Sequence, residues 1–562
     1  MLVKFIYFYK MILKKFFHLI IFSFLLIISS NAYAQNRKAI APEKPKLIVT
    51  IVIEQMRYDF LDRFYNDFDT DGFKKLMLGG TLYKNAHLNY MFTQSSPGFA
   101  TIYTGATPSI HGIVADEWYK SISESRVKST HNSRYKTIGS ASKYGEHAPN
   151  KLITSTVSDE LKLVNKHAKV ISIGLDPIAA SISGGHMANA AYWLDNQTGK
   201  WISSSYYLDS LPSWVNSFNQ KKSYNTYLNR KWTCYKNLKK YTRSRSDTAK
   251  YETGFGYNQY IFPYDIAKIS SINSKYPDYS VLNTIPFGNT YTKDFAIQAI
   301  VEEQLGKDAH TDFLMLNFTA TKNISNRFGP LSVEVEDTYI RLDQDIQHFM
   351  KFLDNEIGKE NYLIVLTSNH GVAYAPEYLQ EKKIPAGTFK SIYSIALLKS
   401  YLNAIYGKGD WVKLYYNQQI YLNHLIIEDS NIRLEDIQQK IVDFMIQFDG
   451  IANAVSSTTL KRSEFNRGMY EKMQNSFNQR RSGDIMLNLK AGWLEDITTT
   501  TSSNSPYVYD THVPLIWYGW RIKRQETNED IHITDIAPTI SYFLNIAKPN
   551  GNTGNTLNGL IK

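Results

Sequence analysis

The chain has 562 residues, one cysteine and a formal net charge of +11. A single cysteine excludes an intrachain disulfide framework, so the fold rests on a hydrophobic core, which a chain of this length is able to build. Lysine and arginine are scattered rather than gathered into one stripe, which excludes a nucleic-acid-binding reading.

Residues 1–34 read as an export signal. Lys14 and Lys15 precede an apolar run from Phe16 to Ile28, and Ala32-Tyr33-Ala34 forms a cleavage site before Gln35. The run is short for a membrane span, and Met11 serves as a start as well as Met1. No cysteine follows the cleavage site, which argues against a lipoprotein. Four lysines leave with the signal, so the mature chain, residues 35–562, carries +7. It is expected to lack a transmembrane segment and to reside in the periplasm or at the outer membrane of a Gram-negative bacterium.

Leu47 to Ile53 is a continuous apolar run, the mark of a strand buried on both faces, and it ends on Glu54. Helical spacing follows from Tyr58 to Phe68 and from Phe73 to Met77. Thr93 to Phe99 reads as a loop, with a helix from Phe99 to Tyr103. Val170 to Leu175 is a second strand, followed by Asp176-Pro177. From about 192 to 287 the chain is rich in Tyr, Trp, Ser, Asn and Lys with weak periodicity, and is read as a cap inserted over the sheet. The core resumes with a helix from Asp294 to Leu305 and a strand from Phe313 to Phe318. The polar Thr321 to Asn326 follow, then an amphipathic helix from Val333 to Leu353. Tyr362 to Thr367 is a strand that runs straight into Ser368-Asn369-His370-Gly371. A second irregular insertion covers 401–505, with a helix near Leu434 to Phe448. The core closes with His512, a strand from Val513 to Tyr518 and a helix from Asp535, its expected N-cap, to Phe543. Buried strands alternating with helices predict an α/β sandwich: a largely parallel central sheet, helices on both faces, and an inserted cap.

Ligands in such sheets bind at the carboxyl ends of the strands. Glu54, Asp176, Lys322 and Asn369-His370 all fall there, with His512 at the start of its strand. A lone histidine at a strand end is most often a hydrogen-bonded structural residue, but convergence of several polar ends marks a site.

Tyr362 to Val372, YLIVLTSNHGV, resembles the T-[AS]-D-H-G signature of the alkaline phosphatase superfamily, with Asn369 in place of Asp. Gln55-Met56-Arg57-Tyr58-Asp59, Ser95-Ser96-Pro97-Gly98, Ala188-Asn189-Ala190-Ala191-Tyr192-Trp193 and Tyr509-Asp510-Thr511-His512 extend the resemblance to the PafA-type monoesterases over nearly the whole mature chain. The resemblance implies a two-zinc phosphoryl transferase with Ser95 as nucleophile. It places one metal on Glu54, Asn369, His370 and Ser95, and the other on Lys322, Asn326 and His512. It places phosphate contacts at Asp116, Asp176 and Ile178. Asn369 and Asn326 are weak zinc ligands, and a protonated Lys322 cannot ligate. Asp116 and Asp176 would face a dianion. Lys322 is expected to fill the metal position and pair with Glu54 or with groups around His512. The expected function is a pseudophosphatase that has lost two-zinc activity, holds no cofactor or at most one zinc, and serves as a binding or scaffold subunit for envelope proteins. The alternative is a divergent metal-dependent phosphoric ester hydrolase using Ser95. A glycan-binding role for the Tyr- and Trp-rich cap rests on composition alone. His111 and His186 are expected to be structural hydrogen-bonders.

Overall fold

The computed structural model describes residues 43–256, 259–272 and 277–561. The expected export signal therefore lies outside the described residues. Residues Lys44 to Lys562 form one compact unit.

Ten strands build the central sheet: β1 (Leu47–Ile53), β2 (Thr81–His87), β3 (Thr137–Ile138), β4 (Val170–Gly174), β5 (Ala190–Leu194), β6 (Trp201–Ser204), β7 (Asp312–Phe318), β8 (Tyr362–Thr367), β9 (His512–Gly519) and β10 (Gln525–His532). Their spatial order is β10-β2-β9-β8-β1-β7-β4-β5-β6-β3. The five strands from β8 to β5 are mutually parallel. β9 runs antiparallel between β8 and β2, and β6 and β3 continue antiparallel at the other edge. The sheet is thus mixed, with a parallel centre. All seven residues of β1 are buried, as a strand with helices on both faces requires.

Register decides where the site forms. Ile53 lies opposite Phe318, Val52 opposite Thr367, and Asn317 opposite Gly174. The carboxyl ends of β1, β7, β8 and β4 therefore finish at one edge. Because β9 is antiparallel, with Leu515 opposite Thr367, its first residue, His512, starts at that same edge.

Five helices flank or feed this edge: α1 (Ser95–Thr104), α2 (Pro177–Gly184), α3 (Phe287–Glu302), α4 (Ala320–Phe328) and α5 (Val333–Glu356). α1 corrects the loop expected from Thr93 to Phe99: the helix begins at Ser95 itself. Gly98 permits this, since a Cβ there would lie 2.3 Å from Asn369 O. α3 begins seven residues before the expected Asp294, on the aromatic Phe287. Asp535 does not cap its own helix by its side chain. Its carboxylate instead accepts the His532 N–H at 2.9 Å and the Asn555 N–H at 2.7 Å.

The region read as a cap from about 192 begins on the sheet, because Tyr192 to Leu194 end β5 and Trp201 opens β6. Trp201 stacks on Phe295 of α3 at 4.3 Å, so these aromatics are core rather than surface. The second irregular region holds an antiparallel sheet of its own, from Val412–Tyr416, Gln419–Leu422, Ile485–Leu489 and Ile451–Ser456. Trp411, Ile420, Ile441 and Leu487 pack into its separate core. Its strands are only four to six residues long, which hides their period. Among the described residues no helix is long and apolar enough to cross a membrane.

Candidate active site

Ser95 is the first residue of α1, and its hydroxyl is held from two sides. Ser95 Oγ donates to Glu54 Oε1, and Lys322 Nζ donates to Ser95 Oγ. Lys322 Nζ also stands 3.4 Å from Glu54 Oε1 and 4.0 Å from Asp116 Oδ2. The ammonium arrives from the start of α4, whose N-terminus is tied to the end of β1 by Thr321 Oγ1, donating to Glu54 O at 2.6 Å. Burial alone would lower the Lys322 pKa. The carboxylates of Glu54, Asp116 and Asp176 outweigh it and raise the pKa above the ordinary lysine value, so the amine is a cation here.

Asn369 bridges the same group. Its Nδ2 donates to Glu54 Oε1 at 3.4 Å, and its Oδ1 accepts the Gln55 N–H at 3.3 Å. Gln55 takes a positive φ of 65°, an unusual backbone state for a residue with a side chain. Its Nε2 donates to Asn326 Oδ1 at 2.9 Å. Ser368 Oγ accepts the Met56 N–H at 3.0 Å, locking the β8 exit against the β1 exit. His370 is fully buried; Nδ1 donates to Gly371 O at 2.8 Å, and Nε2 has no partner among the described residues. Burial pushes its pKa down to about 4, leaving a neutral ring with a free lone pair.

His512 is oriented by other contacts. Its Nε2 bonds Lys84 O at 2.8 Å, and its ring stacks on Tyr58 at 4.5 Å and on His87 at 4.6 Å. The expected pairing of Lys322 is with Glu54 and not with groups around His512. Asp176 caps α2, accepting the Ile178 N–H at 2.7 Å. Burial and then Glu54 push its carboxyl up to about 6, against the pull of Lys322. Ile178 thus contributes its backbone N–H to that cap.

Asp116 takes an unexpected role. Its Oδ1 accepts the Ser96 N–H at 2.7 Å, so a carboxylate of the chain sits at the α1 N-terminus, where an incoming anion would otherwise dock. Gln94 Oε1 holds the Asp116 N–H at 2.8 Å. Gln94 directly precedes Ser95, but a glutamine in a stretch of loop composition carries no signal of a site role. A cavity of about 300 Å³ opens above, with Ser95, Asp116, Lys322 and Asn326 at its floor and Tyr416, Trp493 and Glu495 from the second irregular region on its wall. Those wall residues lie far from the floor in sequence and carried no signal.

The donor set does not fit a pair of divalent cations. Glu54 and Ser95 are engaged by an ammonium, two positions are neutral amides, and His512 is stacked away between Tyr58 and His87. His370 alone is dressed as a ligand, with one ring nitrogen on a backbone carbonyl and the other free. His111 and His186 are structural. His111 Nε2 bonds Thr101 Oγ1 at 3.1 Å, and His186 Nδ1 bonds Asp159 Oδ2 at 2.9 Å.

The type I phosphodiesterase / nucleotide pyrophosphatase family model matches residues 48–502. The chain is 35% identical to alkaline phosphatase PhoV of Synechococcus elongatus, over 97% of this chain and 99% of that protein. It is 34% identical to alkaline phosphatase PafA of Elizabethkingia meningoseptica, over 95% and 98%. A Myroides odoratus protein named a calcium-transporting ATPase is 36% identical over 92% of this chain and 95% of that protein. The crystal structure of wild-type PafA matches with a TM-score of 0.88 at 34% identity, covering 93% of this chain and 100% of that one. The chain belongs to the alkaline phosphatase superfamily, as a PafA-type member. In this PafA-type protein the strand ends, α1 and the cavity share one edge of the sheet.

Proposed function

We propose that this PafA-type protein is a pseudophosphatase: an exported, envelope-located member of the superfamily that has exchanged two-zinc hydrolysis for binding. The observation that carries the reading is the Lys322 ammonium, donating to the nucleophile-position Ser95 and paired with Glu54. Asp116 on the Ser96 N–H adds to it, because the carboxylates of Glu54, Asp116 and Asp176 around Lys322 outnumber its single cation. A phosphomonoester dianion meets net negative charge there. With hydrolysis gone, the retained fold serves protein partners in the envelope.

A second reading, a divergent hydrolase, draws on one observation. Ser95 Oγ still donates to a carboxylate at the head of α1, the arrangement of a hydroxyl nucleophile beside a base. The names of PhoV and PafA speak for it too.

Elemental analysis of the purified chain, run beside phosphomonoester and phosphodiester assays, separates the two. The expected result is no turnover and at most one zinc per chain. Turnover abolished by Ser95→Ala, with two zincs bound, overturns the proposal.

A further inference from the structure

Away from the vestigial cleft, a second cavity of about 540 Å³ lies between the Gly468–Ser476 helix, the segment after it, and Ser109. Its lining holds Lys461, Arg480 and Arg481 beside the apolar Ile153, Leu460 and Phe477, and none of its lining residues is a carboxylate. We propose that this cavity is a binding site for an oxyanion of the phosphate type carried on an apolar body.

Arg481 is the fixed cation of this cavity. Its Nη1 donates to Lys151 O at 2.8 Å and to Gly112 O, which fixes the guanidinium in place. Trp118 backs it, with the guanidinium carbon 5.0 Å from the ring centroid. The bonds of Arg481 to acceptors among the described residues all run from Nη1, and Arg481 lines the cavity, which leaves Nε and Nη2 for a ligand. No carboxylate among the described residues pairs with Arg481; burial lowers its pKa to about 10 with nothing to oppose it. A half-buried guanidinium without a counter-ion, its plane braced and part of its fork unspent, is poised for a planar or tetrahedral oxyanion.

Two more cations stand at the same cavity. Lys461 lies over the Phe477 ring at 5.9 Å, and neither Lys461 nor Arg480 has an ion-pair partner among the described residues. Two acids of neighbouring segments are spent elsewhere. Asp484 is held by His424 Nε2 at 2.8 Å and by the Leu422 N–H at 2.8 Å, and Glu435 pairs with Arg462 at 2.6 Å. The side-chain amides act as braces: Asn478 Nδ2 donates to Ser109 O at 3.0 Å, and Gln474 Nε2 to Leu460 O at 2.8 Å. Three cations favour a multiply charged group, and Ile153, Leu460 and Phe477 supply a surface for the body that carries it. The contrast with the Ser95 cleft, which is net negative, gives the two sites opposite charge preferences.

The source of the phosphate-type group is either a soluble ligand or a lipid headgroup, and two arms separate them. In the first, the purified chain is titrated with phenylphosphonate by calorimetry. Lys461→Gln with Arg480→Gln, both at exposed side chains, is expected to raise the Kd about tenfold or more. Arg481→Gln is expected to raise it further, and Lys322→Met in the cleft to leave it unchanged. In the second arm, phosphatidylcholine vesicles with and without phosphatidic acid are sedimented with the chain. Capture that needs phosphatidic acid and is lost in the double variant assigns the lipid source, and phenylphosphonate binding alone assigns the soluble one. Absence of binding in both arms overturns the inference. So does phenylphosphonate binding that ignores the double variant, or that disappears with Lys322→Met.

Discussion

Replacing Lys322 by Met removes the ammonium that the carboxylates of Glu54, Asp116 and Asp176 surround. The Nζ–Oε1 separation of 3.4 Å gives a gross attraction of about 5 kcal/mol at an effective dielectric of about 20. Desolvation of the pair offsets much of this, so the intact pair contributes little net stability. Breaking it is different, because Glu54 is 3% exposed and is left without its cation. The expected loss is about 3 kcal/mol, the low end for orphaning a buried ion, since the Lys322 side chain is 26% exposed. Glu54→Gln in the Lys322→Met background removes the orphaned group and is expected to restore at least half of that loss. Urea unfolding of the four proteins in the cycle measures the coupling, which is expected to exceed about 1.5 kcal/mol. A neutral Lys322→Met, or additive single effects, refutes the account of Lys322 as the ion that fills the metal position.

Three further outcomes are expected. Asp116→Asn takes a carboxylate off the Ser96 N–H and should raise the cleft's affinity for inorganic phosphate about tenfold, which calorimetry in the Lys461→Gln, Arg480→Gln background reads; unchanged affinity removes Asp116 from the electrostatic argument. Glu334 is fully buried, accepts the Tyr264 hydroxyl at 2.6 Å, and is pushed up by burial to about 8. A carboxyl whose folded pKa is raised binds its proton more tightly when folded, so its contribution is present at low pH and is lost as pH rises from about 5 to about 8. Glu334→Gln should flatten the fall of the urea midpoint over that window, and an unchanged slope counts against a protonated Glu334. Gly98→Ala puts a methyl 2.3 Å from Asn369 O and 2.7 Å from Asn369 Cβ, and should cost about 2 kcal/mol or more in the same assay.

Much of the frame was legible in the residues. β1 and β8 fall on the runs Leu47 to Ile53 and Tyr362 to Thr367, because a strand buried on both faces must be apolar throughout and must stop where polar residues begin. That rule also marked Glu54, Asn369 and His370 as strand-end residues, and the motifs around them marked the family. The helical start at Ser95 was not legible, because Ser95-Ser96-Pro97-Gly98 has loop composition and becomes helical only where Gly98 lets the backbone press on Asn369.

What the chain by itself determined was the charge at each position: one cationic lysine and two neutral asparagines where the family resemblance calls for metal ligands. Which of those charges meet was decided by register and packing. The antiparallel course of β9 brings His512 to the site edge, and stacking with Tyr58 and His87 then holds its ring. The first turn of α4 carries Lys322 onto Ser95 rather than into solvent. Asp116 reaches the α1 N-terminus from 20 residues downstream, and Arg481 reaches Gly112 from 369 residues away. Local propensity is a property of neighbouring residues, whereas an ion pair or an orphaned cation is a property of distance in space. Only the folded chain brings such groups within a few ångströms of one another.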